Sequence, residues 1–133
     1  MHAQDEGGTY ERALAELRNG RKLSHWMWFV FPQLAGLGRS PTSRHYAIAS
    51  LAEARAYLEH PLLGARLREC ARALEQLSGL TAEQIFGDLD AHKLRSSLTL
   101  FARAQPTETL FAGLLERYFD GHPDAVTEQL LGP

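Results

Sequence analysis

Residues 24–28 read SHWMW, a hydroxyl, an imidazole and two indoles in close succession. The imidazole of His25 could serve as a general acid or base or donate to a phosphate oxygen. Trp26 and Trp28 could stack on a planar ligand, with Ser24 adding a hydrogen bond. A structural account competes: Ser24 caps a helix, the indoles are core, and His25 is a satisfied buried ring. A second group follows at residues 93–99, where Lys93, Arg95, Ser96, Ser97 and Thr99 lie close together. On a helix Lys93, Ser96 and Ser97 share a sector, the make-up of a phosphate or carboxylate cradle. The competing account makes the two serines small packing residues whose hydroxyls bond back to the previous turn. The glycine-rich turn of a P-loop is absent.

Charge is distributed in a way that favours these two segments. Between Glu16 and Glu53 there is no acid, while Arg18, Arg21, Lys22, Arg39 and Arg44 fall there with His25 and His45. Between Asp90 and Glu108 there is again none, and Lys93, Arg95 and Arg103 lie beside His92. Fixed cations in a cleft attract a small anion whatever the total charge. Residues 36–41, GLGRSP, read as a loop whose glycines permit close approach and whose Arg39 supplies charge. Gln33, Ser40, Arg44 and Tyr46 could complete a polar wall. Asp88 and Asp90 could contact Mg²⁺, or Asp90 could orient His25, although a turn and a helix cap account for them more simply. The histidines lack zinc-site spacing, and neither a GxSxG elbow nor a dinucleotide fingerprint occurs.

The chain that must position these residues has 133 of them, with 14 Lys and Arg against 16 Asp and Glu, a formal net charge of −2. That length suits one domain, and the slight acidity disfavours wrapping by nucleic acid. No apolar run is long enough to span a bilayer. The single cysteine, Cys70, cannot form an internal disulfide, which points to a reducing cytoplasm. Helical signals dominate. Tyr10, Ala13, Leu14 and Leu17 mark one helix face, with Thr9 as its cap and Gly20 as its stop. Ser50 with Glu53 opens a second helix, which ends near Pro61. Leu63, Leu67, Cys70, Leu74 and Leu77 line a third, closed by Gly79. Thr81 with Gln84 opens a short one, Asp90 caps the next, Pro106 starts another, and Asp124 caps the last. Residues 26–31 are apolar on every face, and a helix ended by Pro32 fits them best. The reading is an all-α domain of about six to eight helices over residues 1–133.

The segment RKLSHWMWFVFPQLAGLGRS, followed by Tyr46, Ala47 and Ile48, resembles the hallmark of the bacterial domain of unknown function 1810 family, sometimes labelled calpastatin-like. YLEHPLLGARLREC, FGDLDAHKLRSSLTLF and RYFDGHPDAVT agree with it, so the similarity covers nearly the whole chain. The resemblance implies a compact all-α fold and no established activity or catalytic residue. Relative to the family, the N-terminal helix looks shortened before Ala3 and Gln4: either the chain folds without those turns, or a groove they would cover is open, and the second case would expose apolar surface and promote a dimer.

The expectation is therefore a basic, aromatic-walled pocket for a phosphorylated or nucleotide-like anion. It would be built from Ser24, Trp26, Trp28, Gln33, Arg39, Ser40, Tyr46, Lys93, Arg95, Ser96 and Ser97. A hydrolase or transferase step on an ADP-ribose-type ligand would use His25 and Asp90. No cofactor is expected, Mg²⁺ being a weak candidate. The rival is a non-enzymatic protein-interaction module. Either would be a monomer or weak homodimer with no membrane partner, and a third class, RNA binding, would need a broad basic stripe that the net charge of −2 disfavours.

Overall fold

The structure, a computed structural model, describes residues 8–37 and 40–132. Among these the helices are α1 (Thr9–Arg18), α2 (Met27–Val30), α3 (Pro41–Tyr46), α4 (Leu51–Glu59), α5 (Leu63–Gln76), α6 (Ala82–Phe86), α7 (Asp88–Ala104), α8 (Thr109–Phe119) and α9 (Ala125–Leu131). The protein is all-α. One isolated parallel bridge joins Leu34 to Ile48 and ties the chain entering α3 to the chain leaving it.

Local signals account for most boundaries. Ser50 caps α4 by accepting the Glu53 amide at 3.1 Å. Thr81 and Gln84 form a reciprocal capping box at the start of α6, which satisfies two otherwise orphaned donors. Asp124 caps α9, accepting both the amide and the hydroxyl of Thr127. Other boundaries differ from the sequence reading. Gly8, in the left-handed region, precedes α1 in place of Thr9 as cap. α7 begins at Asp88, so Asp90 lies inside its first turn instead of capping it. Pro106 is in a turn, and α8 starts at Thr109. The helix expected over residues 26–31 is a single turn, and α3 was not anticipated.

α7 is the hub, packed against α4, α6, α8 and α9, while α5 packs against α1, α4 and α8. Residues 96–101 of α7 are all buried, so this stretch is enclosed on every side. Small polar residues make that enclosure feasible: Ser96 and Thr99 donate to the carbonyls of His92 and Arg95, while the buried Ser97 hydroxyl is left without a hydrogen-bond partner. Tyr57, Phe101 and Phe111 stack in sequence at 5.6 and 5.8 Å across α4, α7 and α8. Trp26 and Phe31 each meet Phe86 edge-on at 6.4 Å.

Side chains terminate several helices from a distance. Arg68 donates to the Leu58 carbonyl at the end of α4 and forms a two-point pair with Glu108. Arg55 donates to the carbonyl of Ala104, and Tyr118 to that of Leu74. The α4–α5 corner depends on Gly64, because a Cβ there would lie 2.1 Å from the Leu58 carbonyl oxygen. Gly64→Ala should accordingly cost about 3 kcal/mol by forcing the two backbones apart. Urea unfolding will measure this, and a wild-type midpoint would show that the corner relaxes freely.

Candidate functional site

The polar centre of the molecule is Glu16, on the inner side of α1. After α1 the chain turns at Gly20, at φ 75°, and runs back along the helix. Its carboxylate then accepts the amides of Leu23 at 2.8 Å and Ser24 at 3.0 Å, the Ser24 hydroxyl at 2.6 Å and the Trp26 indole N–H at 2.8 Å. Burial alone would raise the Glu16 pKa, but these four donors outweigh it and lower the pKa to about 2. On the far side of the same loop, Lys22 donates its amide to the Ile85 carbonyl at 2.8 Å. Its ammonium sits 2.8 Å from Asp90 Oδ2 and 5.2 Å from the centre of the Trp26 ring. Lys93 approaches the other oxygen of Asp90 at 3.5 Å.

This arrangement redistributes the residues read from the sequence. Trp26 is 1% exposed, a core residue whose one polar atom is satisfied, so it forms no wall of an open site. Ser24 is an anchor for Glu16. His25 is exposed beside them, and Trp28 is half-buried against the core. Ser96 and Ser97 are fully buried, which corrects the expectation of a hydroxyl cradle with Lys93. Arg95 donates to the His122 carbonyl and lies 5.8 Å from the Phe119 ring, on the α8–α9 side. Asp90 is held by two lysines, an arrangement that suits neither a metal contact nor an orienter of His25. Gln33 is half-buried and its carbonyl accepts the Ile48 amide. Tyr46 meets Phe29 edge-on at 5.9 Å, Ser40 and Arg44 are exposed, and Arg39 lies outside the described residues. Among the described residues, no group of three or more His, Cys, Asp or Glu could hold a metal ion.

Three concavities can be compared. The largest, about 610 Å³, is an open groove between α1 and α5, lined by Arg18, Ala65, Glu69, Arg72, Ala73, Gln76 and Leu77. Ala65 and Ala73, two turns apart, make its floor shallow, and Arg18 and Arg72 supply guanidinium groups. Glu69 accepts the Tyr10 hydroxyl through one oxygen and lies 3.6 Å from Arg18 through the other. Burial and the bond to Glu69 both raise the Tyr10 pKa, keeping the phenol protonated as a donor. A second hollow of about 320 Å³ has an uncharged lining that includes Leu34, Leu51, Leu130 and Leu131. The third, about 10 Å³, is water-sized and lies among Tyr10, Phe29, Tyr57 and Arg66. His25, Lys93 and Arg95 line none of the three.

Glu16, Glu69 and Arg72 were missed from the sequence, while Arg18 and Lys22 were read only as cations of an acid-free stretch. Glu16 did carry a signal: it lies three residues from Ala13 and next to Leu17, a carboxylate beside an apolar stripe. The groove carried little, because alanines and arginines on an outer helix face look like ordinary surface.

Fold and site together define an all-helical domain with a carboxylate-anchored loop and a shallow basic groove. The chain belongs to the family described as "Protein of unknown function (DUF1810)", matching it over residues 1–131. It is similar to the crystal structure of the conserved hypothetical protein Rv1873 from Mycobacterium tuberculosis, with 51% identity and a TM-score of 0.92 over 96% of this chain and 91% of that one. No curated protein matches it. No helix among the described residues is long and apolar enough to cross a membrane.

Glu16 gives a pH prediction with a definite sign. Folding lowers its pKa from 4.5 to about 2, so its stabilisation is present above pH 4.5 and is lost as pH falls through about 2. Urea unfolding at a series of pH values should show a decline across that window, and Glu16→Gln should lower neutral-pH stability and flatten it. Parallel curves for the two proteins would show that Glu16 is not the titrating group.

Proposed function

We propose that this protein is a binding module for a small phosphorylated or nucleotide-like anion, held in the groove between α1 and α5. The observation that carries the reading is the meeting of Arg18 and Arg72 in one concavity of about 610 Å³. That volume falls within the ~300–1,000 Å³ common for small-molecule sites. Guanidinium groups suit phosphate oxygens because their planar fork donates in pairs. Glu69, oriented by Tyr10, is placed to accept from a sugar hydroxyl or an exocyclic amine. The Gln76 amide offers both a donor and an acceptor. The reading is of binding and not of turnover, since His25 and Asp90 stand away from the groove. We place this activity in the reducing cytoplasm, in keeping with a single cysteine, Cys70, which can form no internal disulfide.

A thermal-shift panel of nucleotides, ADP-ribose-type compounds and sugar phosphates, followed by calorimetry, tests this. One ligand class should give a saturable shift. Arg72→Ala should weaken its binding by roughly tenfold or more, the worth of one charge-assisted contact. Its melting temperature should stay close to wild type, because Arg72 is exposed. A panel without a saturable shift, or binding indifferent to Arg72, would overturn the reading.

A further inference from the structure

We propose that Glu69 is the specificity-determining residue of the α1–α5 groove and reads a ribose diol, so that the anion bound there is a ribonucleoside monophosphate. The inference rests on the groove reading above and narrows it to one class of ligand. Glu69, Arg72 and Gln76 all line the groove and stand at i, i+3 and i+7 on α5, which is one face of that helix. Glu69 and Arg72 are therefore about 4.5 Å apart along the axis, and Gln76 lies about 6 Å beyond Arg72. A ligand whose phosphate sits on Arg72 meets a carboxylate on one side and an amide on the other.

That carboxylate sets what else the ligand must carry. It is a poor neighbour for a bare phosphate, because an ionised carboxylate only accepts hydrogen bonds. Tyr10, 8% exposed, donates to Glu69 Oε1 from α1, which orients the group and uses one lone pair of that oxygen. Oε2 stands 3.6 Å from Arg18, beyond ordinary hydrogen-bond distance, and the Glu69 side chain is 48% exposed. Each oxygen thus keeps lone pairs for a ligand, and two adjacent hydroxyls match them one to one. Spacing then decides between the donors that a nucleotide has. Ribose hydroxyls lie a few bonds from the phosphate, whereas an exocyclic amine lies across the whole width of the base. One helical turn separates Arg72 from Glu69, and that span suits the hydroxyls. The amine would reach past Glu69 toward Ala65, which has nothing to accept it.

Calorimetric titration with the common ribonucleoside monophosphates, each beside its deoxyribonucleoside counterpart and with inorganic phosphate as control, tests the inference. At least one ribonucleotide should bind roughly tenfold more tightly than its deoxy form and than phosphate, since a site that answers a hydroxyl rejects the analogue lacking it. Glu69→Gln should erase most of that ratio, while Arg72→Ala should weaken both forms alike. Should Glu69→Gln fail to fold, Tyr10→Phe is read instead, and it should shrink the ratio by releasing the carboxylate from its orientation. Ribo- and deoxyribonucleotides that bind equally, both through Arg72, overturn the diol and leave the groove reading standing. A ratio that survives Glu69→Gln in a folded protein also overturns the role of Glu69. Absence of binding by every probe overturns both readings.

Discussion

One buried carboxylate organises this molecule. Glu16 accepts four hydrogen bonds from the loop that follows its own helix, and all four donors would otherwise need water or another partner. By holding residues 23–26, it sets the Trp26 indole into the interior against Phe86. The same loop then delivers Lys22 to Ile85 and Asp90, which fixes α6 and the start of α7 relative to α1. An apolar residue at position 16 would fill the space but leave two amides, a hydroxyl and an indole N–H unanswered. The cost of orphaned donors in a low-dielectric interior explains why a charge is retained there.

A related economy governs the cations. The two acid-free segments look like the makings of a basic cleft, yet many of their charges are committed to internal tasks. Lys22 and Lys93 share Asp90, Arg95 donates to the His122 carbonyl, and Arg103 joins Glu128 and the Gly132 carbonyl at the end of α9. Elsewhere Arg55 and Arg68 complete the ends of helices whose last carbonyls lack intrahelical donors. Sequence distance conceals these pairings: Arg68 and Glu108 are forty residues apart, and their two-point contact ties α5 to the start of α8. The groove at Arg18 and Arg72 stands out because its arginines lie in an open concavity.

The helical architecture was legible because its signals are local. The capping residues Ser50, Thr81 and Asp124 mark starts that the structure reproduces, and the leucine spacing of α5 matches its buried face. The misplacements also have physical causes. Asp90 resembles a cap, but α7 starts two residues earlier and the carboxylate answers lysines instead. The aromatic run at residues 26–31 bends after one helical turn because Pro32 follows and the Leu34–Ile48 bridge takes over the direction of the chain. The site was less legible, since both the Glu16 anchor and the groove are made by α1 meeting distant segments. Small residues also misled: Ser96 and Ser97 look like ligand groups in sequence and prove to be the slim side of an enclosed helix.

The anchoring role of Glu16 is most directly read in native-state hydrogen exchange of the Leu23 and Ser24 amides. Both lie outside regular helices, so an unanchored loop would exchange them nearly as fast as a free chain. If their bonds to Glu16 hold the loop to the core, both amides should exchange only through near-global unfolding, with protection close to that of central α7. Fast exchange at these two positions, while α7 remains protected, would contradict the account and reduce Glu16 to a local surface contact.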